Sequence, residues 1–174
     1  MNKKYAIVII CCSVFLVAAA LFTPTKTVLS ISSRKNTVKH IYSAQAIPDG
    51  FIISYTHSVN KGRVHDYYKC DLENKKLVLQ STHFVSYGAG IPEPEETPGA
   101  EFTVLGDDYT ISNINRTMPK LVMAVGVIAD HTFAVDKAGS FDELLLADFF
   151  PPQTSLIFEI KKASPVDYWT HKID

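Results

Sequence analysis

From Tyr5 to Phe22 the chain runs for 18 residues without a charge, behind Lys3 and Lys4. An α-helix of that length nearly spans a hydrocarbon core, so the pattern predicts a membrane anchor or a secretory signal. Ala18-Ala19-Ala20 offers a small-residue cleavage site. The apolar run continues through Leu21 and Phe22, which favours retention as an anchor. With the positive charge ahead of the segment, everything after Thr23 is expected outside the cell membrane.

Beyond this segment the pattern becomes period-two, the signature of half-buried strands. Leu29 and Ile31 alternate with serines, Arg34-Lys35-Asn36 reads as a turn, and Val38 to Ala46 resumes an extended pattern. Phe51 to Val59 places Phe51, Ile53, Tyr55, His57 and Val59 on one face; Val64 to Leu72 places Val64, Asp66, Tyr68, Cys70 and Leu72 together. A two- or four-residue turn around Lys61-Gly62 makes His57 face Asp66. Further strands are predicted at Leu77–Val85, Phe102–Leu105, Tyr109–Ile114, Leu121–Ala129, Thr132–Asp136 and Thr154–Lys161, with a hairpin turn at Gly106-Asp107-Asp108. Leu121 to Ala129 is apolar on both faces and reads as a central buried strand. One helix is signalled after it: Ser140 and Glu143 form a capping box ahead of Leu144-Leu145-Leu146, and Pro151-Pro152 ends it.

The expected fold is therefore mainly β, an antiparallel β-sandwich or partly open barrel with one short helix, preceded by the N-terminal transmembrane or signal helix. The 174 residues divide into an anchor or signal at 1–24, a β-rich extracytoplasmic domain at 25–163 and a C-terminal tail at 164–174. Net charge is −1, and beyond the first segment 15 basic residues oppose 18 acidic ones, so nothing drives binding to a phosphate backbone. A nucleic-acid partner is not expected. Cys70 alone lies beyond the apolar segment, which leaves no disulfide within the domain and suits a small buried side chain.

Chemistry is confined to a few polar residues on apolar faces. A His57–Asp66 pair serves either to hold the hairpin in register or to orient the imidazole toward a ligand. His131 is a third candidate, and His57, Asp66 and His131 together make a two-His, one-carboxylate set suited to a metal. Gly88 and Gly90, in Ser86-Tyr87-Gly88-Ala89-Gly90-Ile91-Pro92, permit a backbone turn beside a pocket. The third glycine and following helix of a dinucleotide fingerprint are missing there. Glu93, Glu95, Glu96 and Glu101 read as a solvated acidic loop. His40, His65, His83 and His171 show no metal-binding spacing, and the chain has neither a nucleophile elbow nor a Cys pair of redox type.

At these residues the chain resembles domain of unknown function family 1850, small extracytoplasmic proteins that are mostly bacterial. The resemblance rests on Phe51 to Val59 with Val64 and Asp66, on Gly88 to Pro92, on Arg116-x-x-Pro119-x-Leu121, and on Val125-Gly126-x-x-Ala129-Asp130-His131. It covers residues 27 to 162, and Asp66 stands where the family more often has Glu. The resemblance adds Arg116 to the ligand-binding candidates His57, Asp66, Gly88, Gly90 and His131. It also implies a setting, because such proteins often accompany TAXI-type TRAP transporters, secondary transporters fed by an extracytoplasmic solute-binding protein. The expected role is a membrane-tethered accessory or ligand-binding module, with a TRAP-type permease or its solute-binding protein as partner and no cofactor. The alternative is a metal-binding or hydrolytic extracytoplasmic enzyme using His57, Asp66 and His131.

Overall fold

The computed structural model describes residues 3–35, 40–59, 61–85, 97–137 and 142–174. Helix α1 (Lys3–Phe22) is followed by β1 (Lys26–Ser33), β2 (His40–Ser43), α2 (Ala46–Asp49), β3 (Phe51–Thr56), β4 (Arg63–Asp71) and β5 (Lys76–Val85). Then come β6 (Glu101–Leu105), β7 (Asp108–Ser112), β8 (Arg116–Met118), β9 (Leu121–Ala124) and β10 (Thr132–Val135). The chain closes with β11 (Leu144–Leu145), α3 (Leu146–Phe149), β12 (Ser155–Ala163) and α4 (Pro165–His171).

The strands form two antiparallel sheets, ordered β2-β1-β12-β9 and β11-β10-β3-β4-β5-β7-β6, with β8 also paired to β5. They do not close into a barrel. Leu29, Ile31, Leu156 and Phe158 of the smaller sheet share one core with Phe51, Ile53, Leu77 and Phe133 of the larger. A satellite cluster of Val64, Phe84 and Ile111 lies on the larger sheet. α1 is apolar all round with its large side chains exposed, long enough to cross a bilayer, and compatible with a membrane anchor or a signal sequence.

Several sequence expectations are corrected by tertiary contacts. β3 ends at Thr56, which pairs with Arg63, so the connection is the longer loop 57–62. Within it the His57 N–H donates to the Gly62 carbonyl at 2.8 Å, and Lys61 takes a left-handed conformation with φ 62°. The register is thereby displaced by four from the one expected: Asp66 pairs with Ile53, and His57 does not face it. Leu121 to Ala129 is not one central strand. β9 is the short edge of the smaller sheet, where Leu121 and Met123 pack on the core and Val122 is exposed. The segment then leaves the ladder, because the Gly126 N–H donates to His131 Nδ1 at 3.0 Å and Asp130 adopts φ 44°.

The capping-box helix also differs. Ser140 lies outside the described residues, and Glu143 is drawn to Arg63 at 3.2 Å. Leu144 and Leu145 consequently pair with β10, and the helix begins only at Leu146 with no side-chain cap. Residues 164–174, expected as a tail, contain α4, whose Ser164 cap accepts the Asp167 N–H and whose Pro165 opens the first turn. Tyr168 of α4 packs on Val28 and Tyr42, covering the outer face of the smaller sheet. That cover explains why β1 is buried on both faces.

Candidate functional site: a cavity with a buried carboxylate

On β4 the period-two face Val64, Asp66, Tyr68 is present as the sequence implies, and it looks into a cavity of about 280 Å³ between the main core and the satellite cluster. What faces Asp66 is decided by β5. The ladder between these strands shifts between Tyr67 and Tyr68, leaving Gln80 as an extra residue. A bulge moves all later side chains to the opposite face. Strict alternation would put Leu79 and Thr82 on opposite sides of the sheet; the bulge puts both on the cavity wall. Gln80 is held by its neighbours: its carbonyl accepts the Ile114 N–H at 3.0 Å, and its side-chain amide donates to Asn115 Oδ1 at 3.0 Å. Asn113 and Asn115, at φ 56° and 48°, turn the chain from β7 into β8, which brings Arg116 to the cavity.

Asp66 pairs with Thr82, whose hydroxyl donates to Asp66 Oδ1 at 2.6 Å. Burial pushes the Asp66 carboxyl up to about 6, against the pull of the Thr82 hydrogen bond. Tyr55 is raised by burial and then by the Asp66 charge. Tyr68 is raised by the same two causes, with Arg116 opposing. Both phenols therefore stay protonated and serve as donors or acceptors. Arg116 is exposed yet lines the cavity, a guanidinium at the rim of a space whose interior holds a carboxylate. The rest of the wall is largely apolar, including Leu79, Met118 and Leu121. A small molecule with a carboxylate for Arg116, a donor for Asp66 and an apolar body matches this lining.

The other expected site residues fall elsewhere. His57 lines a separate cleft of about 420 Å³ with Lys61, Gly126, Val127 and Ile128, and its Nδ1 accepts the Val59 N–H at 3.3 Å. His131 stacks on Tyr55 with ring centroids 5.6 Å apart. Burial, and then the Arg63 charge, lower the His131 pKa. Its Nδ1 must be the unprotonated nitrogen, since a backbone N–H donates to it, and the ring acts as a clasp on the 125–131 loop. A β-carbon on Gly126 would stand 3.0 Å from the His131 ring and 2.8 Å from Ala129, so glycine is what lets the loop close. Gly88 and Gly90 lie outside the described residues. The structure thus joins Asp66 to Arg116, leaves His57 on its own cleft and gives His131 a structural partner. Among the described residues, His57, Asp66 and His131 are not one of the groups close enough to hold a metal. Tyr55 and Tyr68 share the apolar faces already visible in the sequence. Thr82 could not be found that way, because its partnership depends on the bulge.

These features define a class: a two-sheet antiparallel domain behind an apolar N-terminal helix, carrying a small cavity with a carboxylate inside and a guanidinium at its rim. The family described as a domain of unknown function (DUF1850) matches residues 51–139, just over half of the chain, and the chain belongs to that family. The match contains Asp66, Thr82 and Arg116. No curated protein and no solved structure matches the chain.

Proposed function

We propose that this protein is a membrane-tethered extracytoplasmic ligand-binding module serving a TAXI-type TRAP transport system, and that its cavity takes a small organic acid. The observation that carries the reading is the placement of Asp66 and Arg116 on one cavity. A carboxylate that faces a cavity while burial opposes its ionisation supports a binding role. The membrane setting is supported by α1 and by the three-residue connector between Phe22 and β1. An uncleaved α1 holds the domain within reach of a permease mouth or a docked solute-binding protein.

Two measurements test this. The full chain, extracted in mild detergent, should copurify with the TAXI-type permease of its own cell. In cells that depend on that permease, Arg116→Gln should lower organic-acid uptake by about tenfold or more, the loss expected for one charge-assisted hydrogen bond. Membrane levels of the variant should stay unchanged, since Arg116 is exposed. Normal uptake in both Arg116→Gln and Asp66→Asn, with no copurification, would exclude the reading.

A further inference from the structure

The C-terminal helix brings together three metal-ligating side chains that the sequence separates. His40 lies on β2, whereas Asp167 and His171 stand one turn apart on α4. His40 Nε2 and His171 Nδ1 each approach Asp167 Oδ1 at 3.1 Å, and one donor atom from each residue lies within 4.8 Å of the others. His171 Nδ1 also donates to the Asp167 backbone carbonyl at 3.0 Å, a proton that a bound ion displaces. Two ligand atoms bonded at 2.0–2.1 Å to a tetrahedral Zn²⁺ are about 3.3 Å apart, which matches the two 3.1 Å separations from Asp167 Oδ1, while the two imidazoles close in on the ion from within 4.8 Å. The donor set, two imidazoles and one carboxylate, is one that borderline divalent metals accept.

A second observation concerns the far oxygen of the carboxylate. The Tyr42 hydroxyl donates to Asp167 Oδ2 at 2.7 Å, leaving Oδ1 directed at the two imidazoles. Metal-binding carboxylates are commonly oriented by such an outer hydrogen bond. The cluster sits at the surface, its His40 side chain 15% exposed and its His171 and Asp167 side chains 34% and 37% exposed. The His40 and His171 rings sit with centroids 4.2 Å apart and tilted by 47°.

We infer that His40 Nε2, Asp167 Oδ1 and His171 Nδ1 form a binding site for a divalent transition-metal ion of the Zn²⁺ type, with Tyr42 as its positioning residue. Three protein ligands leave a fourth position for water. Because the ligands come from β2 and α4, the ion ties the C-terminal helix to the edge of the smaller sheet. The site lies outside the family segment at 51–139, and it stands independently of the transport reading.

The test uses the full chain in detergent, with any affinity tag removed and resident metal stripped by a chelator, titrated with Zn²⁺ against a chromophoric competitor. One equivalent should bind. Tyr42→Phe, which keeps the ring, should weaken binding by about 10- to 100-fold. His40→Gln/His171→Gln should abolish the tight equivalent while circular dichroism shows the β fold retained. Trp169, the only tryptophan, lies on α4 and should report Zn²⁺ through its fluorescence in the parent but not in the double variant. Absence of saturable one-to-one binding by the parent overturns the inference. So does binding that persists unchanged in the folded double variant, which would assign it to other histidines.

Discussion

Asp66→Asn is expected to be more stable than the parent at pH 8, by about 1–3 kcal/mol, and equal to it near pH 3. The ordinary carboxyl value of 3.8 applies to the unfolded chain, and burial raises the folded value to about 6. Between those values the folded protein holds a proton that the unfolded chain has released. Parental stability therefore falls as pH rises through that window and changes no further above it. Raising the carboxyl from 3.8 to about 6 corresponds to about 3 kcal/mol, an upper figure for the stabilisation that a neutral isostere recovers. Asparagine retains an oxygen to accept the Thr82 hydroxyl, so the partner is not orphaned. Urea midpoints of parent and variant between pH 3 and pH 8 measure the difference. Parallel curves would show that Asp66 is not buried as a charge, and the cavity would lose its chief chemical feature. A more stable protein that no longer supports uptake is the outcome that ties this carboxylate to function.

Phe51→Ala should cost about 3–5 kcal/mol, the range for removing a buried aromatic side chain from a packed core. Phe51 is fully buried on β3 and stacks on Tyr68 at 5.0 Å, Phe133 at 5.8 Å and Phe158 at 6.2 Å between centroids. Phe158 belongs to the opposite sheet, so this side chain joins the two layers. Tyr68 is a wall of the cavity, so the substitution should loosen the ligand site as well. At roughly 2–4 °C per kcal/mol for a domain of this size, the melting temperature should fall by roughly 10 °C. Val104→Ala, on the exposed edge strand β6, serves as the control and should change stability by less than about 0.5 kcal/mol. A loss below about 1 kcal/mol for Phe51→Ala would mean that the two sheets do not share this core.

The metal and transport tests read different parts of the molecule. The cavity is built on β4, β5 and β8, whereas the His40–Asp167–His171 cluster joins β2 to α4. Failure of one leaves the other standing.

Hydrophobic patterning by itself determined the apolar N-terminal helix, most of the strands, the tight turn at Gly106-Asp107 and the mainly β fold, because a side chain's face follows from local periodicity. It also placed Val64, Asp66 and Tyr68 on one face, which forms one wall of the cavity. Periodicity says which way a residue points, and it is silent about what lies opposite. The partner of Asp66 was decided by the length of loop 57–62, which displaced His57, and by the Gln80 bulge, which turned Thr82 toward the carboxylate. An apolar run at 121–129 implied burial, yet the capture of Gly126 by His131 broke it into an edge strand and an exposed loop. Glu143 is bonded to Arg63, 80 residues away in sequence, and the helix begins only at Leu146. His40 and Asp167 are 127 residues apart, and no local pattern links them. Only the packing of α4 on the smaller sheet makes them neighbours, since the burial of Val28, Tyr42 and Tyr168 supplies the contact that holds the helix there.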